Sequence, residues 1–291
     1  MQIALDPWMI RDRSLTEVCR FAAETQHEWI ELSPRDDFLP LFISPRANRD
    51  NVAELKRALR TYNVGLASMW TVYRWSEPDN AEARAAAVNY WEKAIQVAVE
   101  LECSHLNSEF SGNPDTPEAC DAAFWRSMED IIPILERENI TMAIEPHPGD
   151  FVEDGNSAVD IIRAIGSPYV RYLYCAPHTY HMGGNMTEMI RYAAPVLDHV
   201  HVADTLDHRI PVRYIVNPLG SPVRIHQHLN IGEGDIDWEM FFRTLQEVGF
   251  DGVMTNSVFA WPDKAEESAK FMAKKINEYL ERFDFGTHNL A

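Results

Sequence analysis

Four short segments concentrate the side chains that could do chemistry: "AIEPH" with Glu145 and His147, "CAPH" with Cys175 and His178, "HVHVAD" with His199, His201 and Asp204, and "HQH" with His226 and His228. Carboxylate, imidazole and thiolate together suit a borderline divalent ion such as Zn, Mn, Co or Fe, whereas an all-oxygen set would point to Mg or Ca. Such an ion polarises a carbonyl or a vicinal diol, so a neighbouring carbon gives up its proton more readily. A proton carrier must then stand beside it, and Glu109 and His147 are the candidates, with Glu145 itself a third. A single buried His or Glu is commonly no more than a hydrogen-bonded core group. Convergence of several donors on one place is what gives the metal reading its weight.

The elements that must bring these donors together recur along the chain. Short apolar runs alternate with stretches of helical spacing: "IALD" before "SLTEVCRFAAET", "EWIELS" before "NVAELKRALRTYN", and so on to "DGVMTNSVF" before "AEESAKFMAKKINEYLERF". Eight such units predict an α/β fold, a single (β/α)8 TIM barrel spanning 1–291, rather than an open sheet, for which no Gly-rich phosphate fingerprint follows the first strand. Asn51 is expected to open the second helix and Asn156 or Ser157 the fifth, with Gly166 and Gly249 as left-handed caps. In such a barrel the chemistry sits at the C-terminal strand ends. Donors fall there on strands four to seven, and alternation turns Glu145 and His201 inward. One connection, from Asp204 to about Ile236, exceeds the usual loop length of about 12 to 15 residues and is expected to be functional.

Composition narrows the partners. Lys plus Arg is 26 against 45 for Asp plus Glu, a net charge of -19, which repels nucleic acid. The four cysteines form no C-x-x-C pair and are too sparse for a disulfide scaffold, which points to a reducing compartment, the cytoplasm. No signal segment and no membrane span is expected. A homo-oligomer is compatible with everything above.

The segments "AIEPH", "PH" after strand six, "HVHVADT" and "HQHLNIGEGDIDW" resemble the xylose-isomerase-like (AP endonuclease 2-type) barrel superfamily over nearly the whole chain; it includes sugar isomerases and epimerases and endonuclease-IV-type repair enzymes. Within it, "ELSPRDDF", "NSEFSG" and the region around "HVADTLDHR" are similar to the sugar phosphate isomerase/epimerase-like group of myo-inositol catabolism. The resemblance implies a divalent metal held by a Glu on strand five, an acid on strand six, a His on strand seven and a Glu on strand eight. Glu145 and His201 match, Cys175 takes the place of the acid, and Asn256 is read at the strand-eight position, which would break a two-carboxylate proton relay. From the endonuclease-like branch it implies further ligands at His178, His226 and His228. The histidines of that branch on strands three and four are replaced by Met69 or Trp70 and by Asn107.

The functional expectation is therefore a metal-dependent isomerase or epimerase acting on a small carbohydrate or cyclic polyol, in an inositol-type catabolic role. Its metal ligands are expected to be Glu145, His178, His201, His226 and His228, with Cys175 as an additional candidate. Glu31, Trp70, Asn107, Asn256 and Arg213 are assigned to the substrate, although Glu31 could instead brace Arg35. A lyase or dehydratase on a keto-inositol, and a ligand-binding barrel without a complete catalytic pair, are the alternatives. A phosphodiesterase of the endonuclease IV type is opposed by the charge.

Overall fold

The computed structural model describes residues 1–75, 81–206 and 227–285. Eight parallel strands, β1 (Gln2–Leu5), β2 (Trp29–Leu32), β3 (Gly65–Trp70), β4 (His105–Glu109), β5 (Thr141–Glu145), β6 (Val170–Cys175), β7 (Leu197–Val202) and β8 (Val253–Asn256), close in sequence order into a (β/α)8 TIM barrel. The helices outside it are α1 (Leu15–Glu24), α2 (Arg49–Tyr62), α3 (Ala81–Leu101), α4 (Pro117–Glu138), α5 (Gly155–Ile165), α6 (Ala176–His181), α7 (Met186–Ala193), α8 (Trp238–Glu247) and α9 (Ala265–Arg282). No helix among the described residues is long and apolar enough to cross a membrane.

Strand alternation divides the barrel into two environments. Outward residues such as Leu106, Ile144, Tyr174, Val200 and Met254 pack against the apolar faces of the helices, among them Val18, Trp91, Phe124, Ile162 and Phe241, all of them buried. The floor of the interior is small and apolar, made by Ala4, Ala67 and Val253 with Trp29 laid against them. Gly65 permits that, because a Cβ there would stand 2.2 Å from the indole ring of Trp29. Above the floor the interior turns polar, where barrels ordinarily stack branched aliphatic residues.

Two helix starts differ from the expectation. Asn48, not Asn51, caps α2, and its side chain accepts from the amides of Asp50 and Asn51 while Asn51 reaches back to close a capping box. Asp154 caps α5 by accepting from the amide of Ser157, so Asn156 and Ser157 lie in the first turn. In both cases a good capping residue stood one turn upstream of the one chosen by apolar periodicity. Gly166 and Gly249 have the expected positive φ, 69° and 67°. Replacing Asp154 by Ala should cost about 1 kcal/mol, read as a melting temperature lower by roughly 2 to 4 °C in a thermal scan.

Candidate metal centre

Register brings the candidate donors to one mouth. Glu109 pairs with Glu145 across β4 and β5, and Cys175, His201 and Thr255 are successive partners across β6, β7 and β8. Immediately after Cys175 the chain turns into the short helix α6, with Pro177 in its first turn, which carries His178 back over the opening. His228 arrives from the far end of the long connection. That end is held by Asp204, whose carboxylate accepts from the amides of Thr205, Gly232 and Ile236 and from the indole of Trp238, while Asp204 and Leu229 exchange backbone hydrogen bonds of 2.8 Å. Gly234 must lack a side chain there, since a Cβ would lie 2.3 Å from the carbonyl oxygen of Thr205. Asp204→Ala should therefore release His228 and weaken zinc binding about tenfold or more, measured by competition against a chromogenic chelator.

The assembled cluster is Glu145, Cys175, His178, His201 and His228, all buried. Ligand atoms of Glu145, Cys175 and His201 lie within 4.8 Å of one another, as do those of Cys175, His178 and His228, so the thiol belongs to both triads. Glu145 Oε2 stands 3.4 Å from His178 Nδ1 and 3.5 Å from His201 Nδ1. Both oxygens of Glu145 are buried and, among the described residues, make no hydrogen bond of good geometry, the two imidazole nitrogens being their polar neighbours. A buried carboxylate needs a cation beside it, a charge that His178 and His201 supply while protonated and that a metal would supply in their place, and the N, O and S donors around it fit a borderline divalent ion. His228 is set for such a role: its Nδ1 donates to the carbonyl of Ser257 at 2.6 Å, and its ring stacks on Phe259 at 4.2 Å, leaving Nε2 aimed at His178 Nε2, 3.3 Å away.

Electrostatics agree with the geometry. Burial alone would raise the Glu145 carboxyl, but the adjacent His178 and His201 hold it well below the ordinary range. Against burial, which works the other way, Cys175 and Glu145 hold the His178 imidazole above its ordinary value, as Glu31 and Glu145 do for His201. Burial and the neighbouring His178 push His228 down. A metal would have to displace the protons on His178 and His201, so affinity should rise with pH through the range where those rings titrate. Isothermal titration in buffers of different ionisation enthalpy would count the protons released.

Beside this cluster lies a second one. Ligand-type atoms of Glu109, His147 and Asp150 sit within 4.8 Å of one another, and the His147 ring meets that of His178 edge-on at 4.5 Å. Burial, and then the negative charges of Asp150 and Glu145, hold the Glu109 carboxyl well above its ordinary range. Burial likewise pushes Asp150 up to about 7, and pushes His147 down to about 3. The trio thus combines a carboxylic acid that keeps its proton with a neutral imidazole, one ring away from Glu145.

Several expected site residues stand elsewhere. Asn256 faces outward, its amide 3.4 Å from His27 Nε2 at the helix layer; the inward residue of β8 is Thr255, one position earlier, so Asn256 is not a substrate contact. Glu31 does not brace Arg35, which forks onto Asp37 instead. It lies inside the barrel beneath His201, where its oxygens accept from Ser68, Asn107, His199 and His201, so neither it nor Asn107 is open to a substrate in the way expected. Trp70 flanks the cluster, edge-on to His201 at 6.4 Å and near Trp8 and Phe259, an aromatic wall at the mouth. His226 and Arg213 lie outside the described residues, as does most of the long connection from Asp204 to Ile236. Asp150 was not foreseen: it sits five residues past Glu145 in "PHPGD", where Pro, Gly and Asp read only as turn formers.

Residues 19–275 match the family model of the xylose isomerase-like TIM barrel. The chain belongs to that family. An inosose isomerase of Bacillus velezensis is 24% identical over 143 residues, 49% of this chain and 47% of that protein. The chain spans about half the length of the curated relatives it matches. Among solved structures, the IolI protein with a binding zinc atom superposes with a TM-score of 0.74 at 14% identity, covering 99% of this chain and all of that one. A D-tagatose 3-epimerase-like protein gives 0.73 at 19% identity, covering 98% of each chain. At these identities the structural likeness carries the fold.

Proposed function

We propose that this xylose isomerase-like barrel is a metal-dependent isomerase or epimerase of a small keto sugar or keto-polyol, an inosose being the first candidate. The observation that carries the reading is Glu145, buried at the barrel mouth with Oε2 3.4 and 3.5 Å from the ring nitrogens of His178 and His201 and, among the described residues, no hydrogen bond of good geometry to either oxygen. Its family relatives named for inosose and tagatose chemistry support the substrate class.

Glu145, Cys175 and His201 would hold the ion, with His178 and His228 as ligands on its outer side or around a neighbouring second ion. When bound, a divalent cation lowers the cost of negative charge on a substrate carbonyl or vicinal diol. The remaining work belongs to side chains. Glu109, kept protonated by burial and by Asp150, holds a proton at the edge of the pocket, and His147 links it to bulk solvent through its partly exposed ring. Trp70, with Trp8 and Phe259, offers an apolar face to a ring's C–H edge and screens the reacting carbon from water.

A dehydratase on the same substrate class is the second reading. It is favoured by β8, whose inward residue Thr255 and next inward neighbour Ser257 carry no carboxylate to serve a proton from the far wall. Purified protein should be analysed for bound metal, then loaded with Zn, Mn, Co or Fe and given inososes and ketohexoses, with products followed by NMR in heavy water. Isomerised or epimerised sugar carrying deuterium at one carbon is the expected result, and a product one water lighter, a diketone or its hydroxy-enone tautomer, would favour the dehydratase. Protein inert with every metal would contradict both.

A further inference from the structure

We infer that Glu31 is a positioning residue for His201, fixing the ring so that Nδ1 is the nitrogen presented to the Glu145 and Cys175 cluster. The proposal rests on the metal reading above for its functional meaning, and on hydrogen bonds within the barrel for its geometry.

Glu31 is fully buried on β2, inside the barrel, one layer below the cluster. A bulge between Ile30 and Glu31 offsets the register of β2 against β3. Oε1 accepts from His201 Nε2 at 2.9 Å, and His201 Nδ1, on the opposite edge of the same ring, stands 3.5 Å from Glu145 Oε2. The ring is thus held between two carboxylates with different surroundings. Glu145 has only imidazole neighbours at 3.4 and 3.5 Å among the described residues, whereas Glu31 Oε2 accepts from Ser68 Oγ at 2.7 Å, from Asn107 Nδ2 and from His199 Nε2 at 3.1 Å. Several donors anchor the Glu31 carboxylate, so His201 meets a tethered acceptor below and the Glu145 carboxylate above.

His199 shows the same selection at work. Its Nδ1 lies 3.1 Å from the amide nitrogen of Asn107, which can only donate, so Nε2 carries the proton and points to Glu31 and to Thr255 Oγ1 at 2.7 Å. With both histidines of "HVHV" donating Nε2–H to one carboxylate, a proton on His201 Nδ1 is not needed to satisfy the ring. A carboxylate behind a metal-bound imidazole is a known way of setting tautomer and raising ligand basicity, and its loss typically costs about 10–100-fold in metal affinity.

The test uses protein with 15N-labelled imidazoles, freed of metal and held at alkaline pH, where His201 is neutral. Wild-type His201 should show a protonated Nε2 and a bare Nδ1. Glu31→Gln should shift the proton toward Nδ1 and weaken zinc about 10–100-fold in a chelator competition, while Ser68→Ala, which leaves the His201 bond in place, should keep the wild-type tautomer. A wild-type His201 carrying its proton on Nδ1 would overturn the inference without any variant having to fold, as would a Glu31→Gln protein with wild-type tautomer and zinc affinity. Wild-type protein that shows the Nε2–H ring yet binds no zinc would support the positioning geometry and sink the metal reading instead.

Discussion

Glu145→Gln is expected to bind zinc or manganese about 10³-fold more weakly than the wild-type protein and to lose turnover in the same proportion. The magnitude follows from removing the one carboxylate ligand, worth several kcal/mol, from a site whose other candidate donors are imidazoles and a cysteine sulfur. The shape is conserved, so no cavity forms, and circular dichroism and thermal melting should stay close to wild type. Glu145 contacts the ring nitrogens of both His178 and His201. Its loss should therefore also remove one of the two charges that hold those imidazoles above their ordinary pKa, beside Cys175 for His178 and Glu31 for His201, so that they lose protons at lower pH. Undiminished zinc affinity in Glu145→Gln would place the ion elsewhere.

Glu109→Gln should behave differently. Metal affinity should change little, because Glu109 belongs to the neighbouring cluster with His147 and Asp150, while kcat should drop about 10²- to 10⁴-fold, the usual worth of a positioned acid or base. The pH dependence gives a sharper check. The carboxyl is raised above its ordinary range by burial and then by Asp150, so it acts as an acid and activity should fall as pH rises through its titration. Asp150→Asn removes the negative charge that acts most strongly on Glu109, stabilises the Glu109 carboxylate, and should move that falling limb to lower pH. An unshifted limb would show that another group donates the proton.

Much of this was legible in the residues. Eight repeats of an apolar run followed by helical spacing allow few folds besides the barrel, and the strand ends are then fixed well enough to bring Glu145, Cys175 and His201 to one mouth. His178 and His228 were legible as donors but not as geometry: the short α6 that carries His178, and the Asp204 clamp that delivers His228, depend on contacts made only in the folded chain. Asn256 shows how narrow the margin is. Strand faces alternate every residue, so an alignment one position off turns a supposed site residue out to the helices and leaves Thr255 inside. Glu31 was hidden for a related reason: "ELSPRDD" puts an arginine close in sequence, yet the partners of Glu31 are Ser68, Asn107, His199 and His201, between 37 and 170 residues away.

The central claim is that these side chains hold a metal ion, and crystals grown with zinc test it most directly. An anomalous difference map recorded above and below the zinc edge should show its strongest peak within coordination distance of Glu145, His201 and Cys175, about 2.0 to 2.3 Å from the ligand atoms. A map with no peak there, or one placing the ion on surface residues while Glu145 keeps only protein neighbours, would contradict it.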